Sequence, residues 1–176
     1  IVNTVKKYLL FTTSLVASLY FWYYAQTYTQ WHFIDSVNLI FHEAGHTLFS
    51  FFGEHIHAFM GRGFQLLVPL GISFYFFYQK QYLSAALCLF WVAQNILNIS
   101  VYVGDALQMQ LDLLGGDSSI HDWNYLLGEF NLLSYTNTIA SFLHTIGMFV
   151  LYTATVSSLY YSWVYTATQS KDRPII

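Results

Sequence analysis

The chain has 176 residues, 56% hydrophobic, 20% aromatic and only 9% charged, with a formal charge of −3. An average soluble domain carries about 25% charged residues, so this composition points away from one and toward a polytopic all-α membrane helix bundle, a single membrane-embedded domain over residues 1–176. Six basic residues against nine acidic ones argue against a nucleic-acid partner, and the lone Cys88 excludes an intrachain disulfide.

The first apolar segment, residues 8–24, follows Lys6 and Lys7 and ends in an aromatic cluster rather than at a small-residue cleavage site. It reads as a retained first span.

The second segment, residues 33–52, contains His42-Glu43-Ala44-Gly45-His46, the HExxH pattern. Helical residues four apart point about 40° from each other, so His42 and His46 can offer ring nitrogens to one Zn²⁺. Glu43 points elsewhere and is the candidate general base for a metal-activated water. Two histidines and a carboxylate at membrane depth are costly unless they face a partner or a metal. Asp35, Asn38, His42, His46 and Gly53 fall on one helical stripe, which must face the bundle interior.

Residues 64–78 contain Pro69 and Gly71 and reach only about 22 Å as a helix. If this segment does not span, Lys6, Lys7, Arg62, Lys80, Lys171 and Arg173 all lie on one side. The positive-inside rule then favours four full spans, cytoplasmic termini and a re-entrant 64–78, with five spans as the alternative.

The fourth segment, residues 82–103, is long enough to cross, and Asn95, Asn98, Tyr102 and Asp105 share one face near its end. These polar groups serve either as interhelical hydrogen-bonding partners or to hold substrate and steady a ligand. Beyond them, residues 105–138 hold five acids and no Lys or Arg, which places the connection outside the cytoplasm. Within it Trp123, Leu126, Leu127, Phe130 and Leu133 recur at helical spacing and predict an interfacial amphipathic helix. The last apolar segment covers residues 139–165.

Catalytic zinc usually has three protein ligands, so another segment must complete the site. His121 is the first candidate, Asp122 the second, and Asp105 the alternative; the Gly115-Gly116 pair permits a turn that would carry His121 and Asp122 inward. Whichever of His121 and Asp122 is not a ligand is a candidate to orient one. His32, His55 and His57 lie at helix ends, and His144 lies deep in the last span.

Through HEAGH on a membrane helix the chain resembles the site-2-protease-like intramembrane zinc metalloproteases, specifically over residues 35–53. Residues 90–105 and 121–125 are similar to small uncharacterised bacterial HEAGH membrane proteins. The protease resemblance implies zinc on His42 and His46, Glu43 as general base, and hydrolysis of a membrane-embedded or membrane-proximal peptide bond in another membrane protein. It implies a bacterial inner or equivalent membrane. The family's third ligand, an Asp followed by Gly on a later membrane helix, has no counterpart here, where Gly116-Asp117 reverses the order. Two other readings stand beside it. One is a non-catalytic accessory subunit of a larger membrane assembly, with a structural or relic metal site and aromatic surface for lipid or partner helices. The other is a haem subunit using His42 or His46 with His144 as axial ligands.

Overall fold

The computed structural model describes the backbone of residues 2–111 and 121–171, and the side chains of residues 5–111 and 121–164. Among these residues six α-helices and no strands occur. They are α1 (Val2–Gln26), α2 (Phe33–Phe49), α3 (Glu54–Tyr78), α4 (Tyr82–Asp105), α5 (Asp122–Glu129) and α6 (Thr136–Lys171). Asp112, Asp117 and the Gly115-Gly116 turn invoked from the sequence lie outside the described residues.

α4 is the central helix. It packs on α6, α3 and α1, while α2 packs chiefly on α3, and α5 lies against α3 and touches α4. One apolar core joins Tyr24 and Ala25 of α1 to Phe90, Ala93 and Leu97 of α4 and to Leu151 and Ala154 of α6. A second, around Ile99, Val103, Ala106 and Leu127, seats α5 against the end of α4. Gly147 of α6 faces Leu97 so closely that a Cβ would come within 2.9 Å of its side chain, which sets the approach of α4 and α6.

Two helices, Tyr82–Asp105 and Leu133–Val164, are long and apolar enough to cross a membrane. They differ in surroundings: the apolar window of the first is 67% buried by other helices, that of the second only 17%. α6 therefore turns Phe142, Phe149, Tyr152 and Trp163 outward, as α3 does Phe74 and Phe77 and α1 does Leu9 and Leu19. Apolar surface on this scale is characteristic of a lipid or partner-helix environment.

Residues 64–78 are not a hairpin. They form the second half of α3, an unbroken helix of 25 residues, about 37 Å long. Pro69 is accommodated inside it and is buried. Arg62, counted from the sequence among the charges flanking the membrane, is instead inside the bundle at 6% exposure. It stays there because Nη1 donates to Asn98 Oδ1 and to Gln65 Oε1, each at 3.0 Å, and the guanidinium stacks 3.5 Å over the Tyr102 ring. The charge asymmetry on which the re-entrant reading rested loses one of its six members.

The amphipathic helix expected after the acidic turn is present but short. α5 has eight residues and buries Leu126 and Leu127, whereas Phe130 and Leu133 follow its end and Phe130 is exposed.

The polar stripe of α2 does face inward: Asp35, Asn38, His42 and Gly45 are buried. Gly53 lies beyond the helix, after a 3-10 turn at Ser50–Phe52, with φ 94. Asp35 is the hub of a buried network in which Tyr24 Oη, Gln94 Nε2 and Asn98 Nδ2 all donate to Oδ1 at 3.0, 2.7 and 3.1 Å. Its Oδ2 accepts from the backbone N–H of His32 at 2.8 Å, closing the first turn of α2. Asn38 in turn donates to Gln94 Oε1 and accepts from Trp91 Nε1, both at 2.7 Å. Three helices are thus tied together where the sequence offered isolated amides.

Candidate metal centre

His42 and His46 occupy the inward face of the last two turns of α2, and their Nε2 atoms are 3.1 Å apart. Asp122, the first residue of α5, brings Oδ2 to 3.5 Å from His42 Nε2 and 3.3 Å from His46 Nε2. A tetrahedral centre with bonds of about 2.0 to 2.1 Å has ligand atoms about 3.3 Å apart. The three observed separations bracket that spacing, so the donor set fits one ion at a single vertex-sharing point. It is also the one such His and carboxylate group among the described residues.

Three features hold the donors in place. A carbonyl oxygen can only accept, so the 2.9 Å contact between His46 Nδ1 and the His57 carbonyl fixes the proton on Nδ1 and leaves the Nε2 lone pair facing His42 and Asp122. Gly61 of α3 lies under both rings, where a Cβ would overlap His46 Nε2 and His42 Cε1. Gly45, on α2 between the two histidines, is pressed on the Met60 carbonyl, so the two helices cross almost in backbone contact. His42 Nδ1 is buried beside Gly61 without a well-aligned partner.

Asp122 arrives by way of α5. His121 caps that helix, its Nδ1 accepting from Asn124 N–H at 3.2 Å. Asn124 Nδ2 donates to the Ala106 carbonyl at 2.8 Å, fastening α5 to the end of α4. At the other end of α5 the exposed pair His55 and Glu129 approach to 3.3 Å across to α3.

The sequence placed His121 ahead of Asp122 as third ligand, and it is Asp122 that lies beside the histidine pair. His121 Nδ1 serves the cap, and its Nε2 is buried 3.4 Å from Asp105 Oδ2, without a well-aligned hydrogen bond. Asp105 is likewise engaged, accepting from the backbone N–H groups of Gln110 and Leu111 at 2.9 and 3.0 Å. Neither joins His42 and His46. Asn95 and Asn98 lie in the buried network instead: Asn98 bridges Asp35 and Arg62, and Asn95 Nδ2 donates to the Trp91 carbonyl at 2.9 Å. His144 packs on Tyr28, with ring centroids 4.8 Å apart, and stands outside the metal-competent group.

Glu43 is exposed, on a face of α2 that also carries Ser36, Ile40 and Thr47 and that no other helix covers. Gly61, Gln65 and Gln94 escaped the sequence reading and Arg62 entered it only as a flanking charge, although Gly61-Arg62-Gly63 interrupts the apolar run and marks a site of close helix approach.

No protein-family model matches this chain, and no similar curated protein or solved structure was found.

Proposed function

We propose that this chain is an intramembrane zinc metalloprotease, built from four or five membrane helices, that hydrolyses a membrane-embedded or membrane-proximal peptide bond of another membrane protein. The observation that carries the proposal is the convergence of His42, His46 and Asp122 on one point, next to a free carboxylate on the same helical turn.

Zinc held by these three side chains would act as a Lewis acid and lower the pKa of water in its remaining position. His42 and His46 would bind it through Nε2, and the His57 carbonyl keeps His46 in the tautomer suited to that. Glu43 would take the proton from the attacking water and return it to the departing amide nitrogen. The open face of Ser36, Ile40, Glu43 and Thr47 is the side from which an extended substrate segment would reach the carboxylate. The outward apolar surfaces of α1, α3 and α6 support the lipid setting.

An accessory subunit with a structural ion would be expected to fill the fourth ligand position from the protein. Pairing of Asp105 with His121, away from the centre, favours the catalytic reading over that one.

The test is incubation of the zinc-loaded, detergent-purified chain with a panel of transmembrane peptides, read by mass spectrometry of the products. Cleavage that falls by a factor of 10² to 10⁴ in Glu43→Gln, with zinc retained, supports the proposal. Cleavage unaffected by that substitution contradicts it.

A further inference from the structure

We propose that the metal centre lies in the extracytoplasmic leaflet, so that the peptide bonds it serves are those in the outer half of a transmembrane segment or just outside it. The placement rests on the membrane setting of the preceding section, and the substrate class rests on its protease reading.

The two ends of the bundle differ in charge. At one end the first turns of α1, the α3–α4 turn and the last turns of α6 meet. There the Lys7 ammonium sits 3.6 Å over the Trp163 ring, and the rings of Tyr82 and Tyr161 stack at 5.2 Å. Lys6, Lys7 and Lys80 belong to this end, and α6 runs on past it to Lys171. At the other end stand Glu54, which opens α3, Asp105, which closes α4, and Asp122 and Glu129, which bound α5. Among the described residues the one Lys or Arg in that half is Arg62, which is engaged inside the bundle by Asn98, Gln65 and Tyr102.

Lys and Arg are retained on the cytoplasmic side of a membrane, whereas Asp and Glu contribute little to orientation. The lysines all stand at one end, which assigns that end to the cytoplasm and the end of Asp105 and Glu129 to the outside.

The depth of the centre follows from α3. Gly61, which lies under the rings of His42 and His46, is seven residues from Glu54 and seventeen from Tyr78. At about 1.5 Å per residue, the centre stands about 10 Å from the acidic end of α3 and about 25 Å from the basic end. Asp122 reaches it from the acidic end, where Asn124 fastens α5 to the Ala106 carbonyl. In a hydrocarbon core about 30 Å thick, that depth falls in the outer leaflet. A bond presented to the centre there belongs to the outer half of the segment that carries it.

The experiment labels single cysteines in the full chain, in a Cys88→Ser background, with a membrane-impermeant maleimide. It uses sealed right-side-out and inside-out vesicles of bacterial cytoplasmic membrane. Glu129→Cys reports the acidic end and Gln79→Cys the basic end, both at exposed positions. The expected result is about tenfold more label at position 129 than at 79 in right-side-out vesicles, and the reverse in inside-out vesicles. The opposite pattern overturns the proposal, and equal labelling in both vesicle types overturns it together with the membrane setting. A second readout uses the unmodified, zinc-loaded chain and EDTA, which does not cross the membrane. Zinc lost from right-side-out vesicles alone supports the placement, and zinc lost from inside-out vesicles alone overturns it. The substrate class is read from a co-expressed transmembrane segment with lysines at one flank. Cleavage in the half remote from the lysines supports it, and cleavage in the lysine-flanked half overturns it. The expected labelling without cleavage of any segment supports the placement and removes the protease reading alone.

Discussion

His46 donates from Nδ1 to the backbone carbonyl of His57 at 2.9 Å, so α3 fixes the tautomer of a histidine on α2. The ring of His57 lies 4.7 Å from that of His46, centroid to centroid, yet its contribution is the carbonyl. His57→Ala should therefore leave the zinc content of the purified chain unchanged, while His46→Gln, which removes the imidazole nitrogen proposed as ligand, should abolish it. Metal analysis of the two variants separates a ligand from an orienting backbone group. Loss of zinc in His57→Ala would make the His57 ring a ligand.

The two glycines at the α2–α3 crossing should fail differently. Gly45→Ala would drive a methyl group into the Met60 carbonyl, and overpacking of this kind costs about 1 to 3 kcal/mol. Unfolding in detergent should show that loss. Gly61→Ala would push on the imidazoles of His42 and His46, so its main effect should be weaker metal binding, by tenfold or more, as measured by competition with a chelator.

Asp122 and His121 are neighbours with separate tasks. Asp122→Ala should remove stoichiometric zinc with the helical content preserved, since α5 keeps its cap and its Asn124 contact. His121→Ala should weaken binding without removing it, because it costs the cap about 1 kcal/mol and loosens the helix that carries Asp122. Titration of each variant with zinc checks the ranking. Equal loss in both would mean that His121 reaches the ion.

Asn98 is the single amide between a buried carboxylate and a buried guanidinium, donating to Asp35 at 3.1 Å and accepting from Arg62 at 3.0 Å. Its orientation is forced by the two charges. Asn98→Leu would leave both short of a partner in the bundle interior, and loss of a buried hydrogen-bond partner costs about 1 to 3 kcal/mol. The unfolding midpoint in detergent should fall accordingly, whereas the exposed Asn137→Leu should leave it nearly unchanged.

The parts of this molecule that follow from short-range periodicity were legible in the sequence. The inward stripe of Asp35, Asn38 and His42 follows from the helical repeat, and so does the pairing of His42 with His46. What lies between helices was not. Whether His121 or Asp122 reaches the histidines depends on which one caps α5, a choice set by a hydrogen bond to Asn124 rather than by spacing. Arg62 looked like a flanking charge because its partners, Asn98 and Tyr102, come from a different helix. Pro69 suggested a break in residues 64–78, yet α3 runs through it without interruption.

The most direct test of the account is the metal content of the detergent-purified chain, prepared without chelators and measured by elemental analysis. The account predicts one zinc per chain, retained in Glu43→Gln and in His144→Ala, and lost in His46→Ala and in Asp122→Ala. A chain that carries no metal, or one whose zinc survives both His46→Ala and Asp122→Ala, would contradict it.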